Sequence, residues 1–236
     1  MQDVVSWNAL IGGYVEHGLF EETLEFFEKM QLVGISPNVI TFMCILRACA
    51  NSRAIEKGKK LHSLILRKGI LLGRHAVLGS MLIDMYFKFG LLAEAQKVFE
   101  SLHVRNVVSW NALMSGYVRQ GLTEETFACF NQMQSEGHFP DMVTFTCILN
   151  AFGGKGAFEK GEQIHGLIVG TNGGLLLKDI MLGTALVDMY VKCGALSKAR
   201  KVLQTLSIRS TVSWNALIAG YAQQGQGHEA LKSFEW

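Results

Sequence analysis

Proline is nearly missing from this chain, with 2 residues in 236 against 25 glycines. That excludes a collagen-like or polyproline rod. Abundant glycine with little proline permits many helices separated by tight turns. Charge is also sparse: 18% of residues are Asp, Glu, Lys or Arg, while 49% are hydrophobic, the reverse of the composition that keeps a chain disordered. Twenty-two basic and 20 acidic residues leave a net charge of +2, so no general attraction to nucleic acid follows from charge. Long apolar runs are lacking. LHSLILRKGILLG is interrupted by Arg67 and Lys68, and GGLLLKDIMLG by Lys178 and Asp179. Neither reaches the roughly 18 apolar residues of a membrane span, and no membrane association is expected. The opening MQDVVSWNAL has neither the character of a signal peptide nor that of an Arg- and Ser-rich transit peptide.

Paired cysteines are lacking too. Cys44, Cys49, Cys129, Cys147 and Cys193 form no C-x-x-C motif, and five is an odd count, which does not suit a closed disulfide framework. They read as buried, reduced thiols of a reducing compartment. No catalytic motif is present: no Gly-rich phosphate loop, no H-E-x-x-H, and no zinc-deaminase pattern of H-x-E followed by P-C-x-x-C. His62 and His165 stand between apolar residues and read as structural histidines. No catalytic residue, metal, cofactor or small-molecule substrate is therefore expected.

What the chain does have is repetition. VSWNAL occurs at Val5–Leu10, Val108–Leu113 and Val212–Leu217, at spacings of 103 and 104. TFMCIL at Thr41–Leu46 returns as TFTCIL at Thr144–Leu149. GKKLH ending at His62 returns as GEQIH ending at His165, and LIDMYFKFG from Leu82 as LVDMYVKCG from Leu186. Each period divides into three units, giving Val4–Asn38, Val39–His75, Ala76–Asn106, Val107–Asp141, Met142–Asp179, Ile180–Ser210 and an incomplete unit from Thr211 to Trp236. Units of 31–38 residues indicate a solenoid rather than one globular core. Met1–Asp3 read as the tail of a preceding unit, and Trp236 falls within a second helix, so the chain is expected to be part of a longer array.

Within a unit the pattern is helix–turn–helix. Val5, Ala9, Leu10, Ile11 and Tyr14 suit the apolar face of a first helix, and Gly18 breaks it. Leu24, Phe27 and Met30 suit a second helix, with Glu21 and Glu22 at its positive end and Lys29 near its negative end. Gly34 and Pro37 end it. Gly121, Phe127, Phe130, Met133, Gly137 and Pro140 repeat the arrangement.

Tetratricopeptide repeats share the length but carry W-x2-L-G-x2-Y, which does not fit Trp7-Asn-Ala-Leu. The units resemble pentatricopeptide repeats of the plant organelle subclass that alternates standard, long and short types. VVSWNALIGGYVEHGLFEETLEFFEKMQLVGISPN is similar to the standard type, VITFMCILRACANSRAIEKGKKLHSLILRKG to the long and LIDMYFKFGLLAEAQKVFESLHVRN to the short. Both long-type units depart from the pattern by extra residues near their ends (LLGRH, GGLLLKD). The resemblance covers essentially the whole chain. It implies an all-α fold, a right-handed superhelical α-solenoid of helix–turn–helix repeats.

Helical repeats can read single-stranded RNA at one base per repeat with two or three side chains. Such residues should recur at a fixed place. The fifth residues are Asn8, Met43, Ser80, Asn111, Thr146, Thr184 and Asn215, polar in all but one case. The last residues are Asn38, His75, Asn106, Asp141, Asp179 and Ser210. The spacing also allows helix-start polar residues and N-caps. In the family the resemblance points to, the fifth and last residues together select a base. Carried over, Asn8 with Asn38 implies a pyrimidine, Ser80 with Asn106 adenine, Asn111 with Asp141 uracil, Thr146 with Asp179 guanine and Thr184 with Ser210 a purine. Met43 with His75 implies no preference. The second residues Val5, Ile40, Val77, Val108, Val143, Met181 and Val212 would sandwich the bases, although their apolar character equally suits core packing. At the thirteenth position Lys88, Arg119 and Lys192 are phosphate candidates, with Arg47 and Lys155 nearby.

The resemblance thus implies recognition of a mitochondrial or chloroplast transcript, at sites of C-to-U editing, with a deaminase domain or another editing-factor protein supplying the chemistry. A protein-binding helical scaffold is the other reading of the same repeats.

Overall fold

The computed structural model describes residues 3–70, 75–153, 157–170 and 179–234. These form fourteen α-helices and no strand. They are α1 Val4–Glu16, α2 Phe20–Leu32, α3 Val39–Ser52, α4 Ile55–Arg67, α5 Ala76–Lys88, α6 Leu92–Glu100, α7 Val107–Arg119, α8 Thr123–Ser135, α9 Met142–Ala151, α10 Phe158–Gly170, α11 Ile180–Lys192, α12 Leu196–Thr205, α13 Thr211–Gln223 and α14 Gly227–Phe234. The odd-numbered helices are the first helices of the units and the even-numbered ones the second. Unit positions below are counted from the start of each odd-numbered helix.

The helices stop where the sequence punctuates them. At the end of α1 the chain must reverse within a few residues. Gly18 does so at φ 74°, donating its N–H to the Val15 carbonyl at 3.1 Å. A side chain would strain that left-handed conformation. Glycines at 90, 121, 194 and 225 occupy the same turn between paired helices, also at positive φ.

The chain forms two compact units, Met1–Gly116 and Tyr117–Trp236, the division falling within α7. In the first, α1 packs on α2 and α3, α3 on α2, α4 and α5, and α5 on α6. Ile11, Met30, Ile45, Leu61, Leu82 and Phe99 are among its buried residues. In the second, α9 packs on α8, α10 and α11, and α11 on α12 and α13, burying Phe130, Ile148, Ile164, Leu186 and Leu203. Each such side chain contributes about 1.5–3 kcal/mol through its removal from water. No helix could bury its apolar stripe alone, so stability comes from neighbour packing, as in other helical solenoids.

Second helices are also linked at the surface. Lys57 pairs with Glu28 at 3.0 Å, Lys160 with Glu124 at 2.7 Å, Lys198 with Glu162, and Arg200 with Glu229 at 2.8 Å. Exposed pairs of this kind add at most about 1 kcal/mol each; their spacing from helix to helix marks the repeat.

One expectation about the first helix is corrected. α1 buries Trp7, Ile11 and Val15, a single i, i+4, i+8 stripe. Val5 and Leu10 are exposed, as is Ala9. Apolar composition had assigned them to the core, but a helix packed on one side has no room on that stripe for residues a third of a turn away. Leu24, Phe27 and Met30 of α2 are all buried. Of the cysteines, only Cys49 and Cys129 are buried. Cys44, Cys147 and Cys193 are half-buried thiols outside any disulfide, so the expectation of burial fails for three of five.

Candidate nucleic-acid interface

The last residue of each unit precedes the first helix of the next, where unpaired backbone N–H groups need an acceptor. Asn38 Oδ1 accepts from Thr41 N at 3.1 Å, while Asn38 N donates to Thr41 Oγ1 at 3.1 Å. Asp141 and Thr144 form the same reciprocal box at 2.8 and 3.2 Å, and Asn106 and Ser109 at 3.0 Å in each direction. Asp179 accepts from Leu182 N at 2.9 Å, and Ser210 from Ser213 N at 3.0 Å. His75 makes no side-chain cap. Capping is therefore a real role of five last-position residues. The partners at the third helical position were missed from sequence, yet the pattern Asn/Asp/Ser-x-x-Thr/Ser was readable at each of Asn38, Asn106, Asp141 and Ser210.

The fifth residues meet these caps in some units. Asn8 Nδ2 donates to Asn38 Oδ1 at 3.0 Å, and Asn8 Oδ1 accepts from Thr41 Oγ1 at 2.6 Å. Thr184 Oγ1 lies 3.1 Å from Ser210 Oγ and 2.8 Å from Ser213 Oγ. Ser80 and Thr146 bond within their own helices. Ser80 donates to the Val77 carbonyl and Thr146 to the Met142 carbonyl, each at 2.8 Å, while Thr184 donates to the Ile180 carbonyl at 2.7 Å and still meets Ser210. Asn111 is buried, Asn215 exposed and Met43 half-buried. The cap consumes one end of the last-position side chain only. Asn38 and Asn106 spend their carbonyl oxygens, and their Nδ2 groups have no acceptor among the described residues.

The second positions decide between the two roles their composition left open. All seven are exposed, from 49% at Val108 to 69% at Met181. Core packing is excluded for Val5, Ile40, Val77, Val108, Val143, Met181 and Val212. Each stands three residues before a fifth position, hence on the same helix face. One face of the first helices thus carries exposed apolar side chains beside polar ones.

The cation candidates are partly engaged. Lys88 Nζ lies 3.3 Å from Asp84 Oδ2 and donates to Asn51 Oδ1 at 2.9 Å. Lys192 pairs with Asp188 at 2.6 Å. The i, i+4 aspartates were visible in IDMYFK and VDMYVK. Arg119 and Arg47 are exposed, whereas Lys155 lies outside the described residues, as do most of the extra residues at 71–74 and 171–178.

His62 Nδ1 and the Tyr86 hydroxyl are 2.8 Å apart, as are His165 Nδ1 and the Tyr190 hydroxyl. Burial lowers the pKa of both imidazoles and pushes the thiols of Cys49 and Cys129 up to about 12. These are structural groups. Among the described residues no group of three His, Cys, Asp or Glu is placed to hold a metal ion, and no helix is long and apolar enough to cross a membrane.

Comparison with known proteins bears on this arrangement directly. The profile of the PPR repeat family matches residues 2–51 and 105–154, and that of the PPR repeat matches residues 80–107 and 212–235. The chain belongs to the pentatricopeptide repeat family. Pentatricopeptide repeat-containing proteins of Arabidopsis thaliana are similar over nearly all of it. One designated mitochondrial is 37% identical over 99% of this chain and 36% of its own length. One designated chloroplastic is 37% identical over 99% of this chain and 28% of its own. The chain spans about a third of the length of the curated relatives it matches. Among solved structures, the pentatricopeptide repeat protein PPR10 from maize superposes on 100% of this chain and 34% of its own, with a TM-score of 0.83 at 21% identity. PPR10 in complex with an 18-nt psaJ RNA element gives a TM-score of 0.80 at 22% identity, over 100% of this chain and 35% of that one. The shared feature is the helical-repeat solenoid fold.

Proposed function

We propose that this pentatricopeptide chain is a single-stranded RNA-binding module that reads about one base per repeat. The observation that carries the reading is the convergence of fifth and last side chains within a unit, Asn8 on Asn38 and Thr184 on Ser210, beside exposed apolar second positions. Those two features together supply what base recognition needs: hydrogen-bonding groups for a base edge and an apolar surface for its face. The cap sharpens the chemistry. With its oxygen held by the next helix, Asn presents a donor amide, whereas Asp179 retains a second carboxylate oxygen as an acceptor. The base preferences carried by the resemblance are proposed on this footing, in the order pyrimidine, any base, adenine, uracil, guanine and purine. So is the division into standard, long and short repeats. Single-stranded RNA held by other proteins of this fold, as PPR10 holds the psaJ element, supports the reading.

Backbone contact is assigned to Lys88, Arg119 and Lys192, with RNA phosphates competing against Asp84 and Asp188 for two of them. With a net charge of +2, affinity must come from the groove residues. The designations of the relatives support an organelle transcript as the target. Within that compartment the role proposed is selection of C-to-U editing sites, the deamination belonging to a separate domain or partner.

Binding to randomised single-stranded RNA, followed by sequencing of the bound pool, tests the reading. Enrichment of adenine opposite Ser80–Asn106 and of uracil opposite Asn111–Asp141 is expected. Equal recovery of adenine and uracil at the latter position overturns the assignment. No retention of RNA at all would favour the protein-binding scaffold instead.

A further inference from the structure

α2 and α4 are consecutive second helices, and an open cavity of about 240 Å³ lies between them. Its floor is apolar: Leu24, Phe27, Ile45 and Leu61 are buried, and Leu64 is half-buried. Its rim is cationic. Lys57 is held by Glu28, but Lys60 and Arg67 have no ion-pair partner among the described residues and are exposed. Seven residues apart, they stand two turns apart on one side of α4.

The repeat supplies an internal comparison. One period later the floor recurs as Phe127, Phe130, Ile148, Ile164 and Leu167. The rim does not, because Gln163 stands for Lys60 and Gly170 for Arg67. Packing between repeats explains the floor, which both copies keep. It does not explain two unpaired cations that only one copy carries.

The combination also selects among ligands. An RNA backbone would use the cations but not the apolar floor, and Phe27 is too buried to stack on a base. An amphipathic helix with one or two large apolar side chains flanked by carboxylates uses both. We propose that the α2–α4 groove docks an acidic amphipathic segment of a partner protein. Its apolar side chains enter the cavity over Leu61 and Leu64, and its carboxylates pair with Lys60 and Arg67. This site is independent of the RNA reading, which uses the first helices.

Selection of a phage-displayed random-peptide library on the chain, followed by fluorescence anisotropy with the labelled winners, tests the proposal. Enriched peptides should carry large apolar residues three or four apart with Asp or Glu beside them. Lys60→Gln with Arg67→Gln should weaken them about tenfold, as two exposed ion pairs each worth a factor of a few would give. Lys60→Glu with Arg67→Glu should restore affinity for the same peptides remade with Lys in place of Asp and Glu, which shows that the variant folds. Enrichment without acidic bias, or unchanged binding by the double variants, overturns the proposal. So does displacement of the peptide by oligouridylate with a matching loss of oligouridylate binding in the Gln variant, which would make the face an RNA surface.

Discussion

Gly13 and Gly116 occupy the same position in two copies of one repeat, so the same substitution can be made in the same helical context. A Cβ at Gly13 in α1 has no non-local heavy atom within 4 Å. Gly13→Ala then removes only the entropic handicap of a helical glycine, a gain of about 0.5–1 kcal/mol. At Gly116 the Cβ would stand 2.0–2.4 Å from three ring carbons of Phe87. Phe87 is 2% exposed, so its ring stands within the packed core. Ordinary van der Waals contact begins at 3.4 Å, so the ring or the helix must shift by more than an ångström. Overpacking of that kind costs about 3 kcal/mol at the upper end of its usual range. The helical gain offsets part of this, leaving a net loss of about 2 kcal/mol. For a chain of this size, 1 kcal/mol moves Tm by about 2–4 °C. Far-UV circular dichroism melts should show Gly13→Ala about 1–4 °C above the parent and Gly116→Ala about 4–8 °C below it. If both variants shift Tm in the same direction, α5 and α7 do not approach as described and the packing argument fails.

Other outcomes follow from the caps, the histidines and the cations. Asn38→Ala should lose about 1 kcal/mol of stability with the cap to Thr41, whereas Asn38→Asp should keep the stability and shift the base selected opposite Asn8. A selected base unchanged by Asn38→Asp would remove Asn38 from recognition. Burial holds His62 below its ordinary value of about 6.5, so as pH falls through that value the unfolded chain takes up the proton first. Stability should therefore be intact above pH 6.5 and decline below it, less steeply in His62→Gln; a melting temperature that rises on acidification through this range contradicts the argument. Lys88→Ala should reduce the salt dependence of RNA binding by a slope of about 0.7, and an unchanged slope would leave Lys88 to its pairing with Asp84.

The repeat made the helices legible. Five anchored matches at spacings of 103 or 104, with glycine at most of the described reversals and Arg53 at the one between α3 and α4, showed where helices begin and turn, because neighbour packing demands the same apolar stripe in every copy. The side of each helix was less legible. Val5 and Leu10 are as hydrophobic as Ile11, and only the packing geometry separates them; a solenoid leaves one face of its first helices uncovered. The last-position residues were visible as polar, and their capping partners could have been read from the residue three places on. The spread of the fifth-position bonds could not. Asn8 reaches Asn38 and the hydroxyl of Thr184 reaches Ser210, whereas that of Ser80 returns to its own helix, and residue type alone does not set that difference.

The caps at Asn38, Asn106, Asp141, Asp179 and Ser210 also limit how such an array can change its target. Under the proposed reading, one residue both fastens the next helix and meets a base, so any replacement must still offer an oxygen to a helix N-terminus. The alphabet open to drift without loss of folding is then nearly confined to Asn, Asp, Ser and Thr. His75, which makes no such bond, is the position of this chain released from that constraint, and the place where a redesigned preference would disturb the fold least.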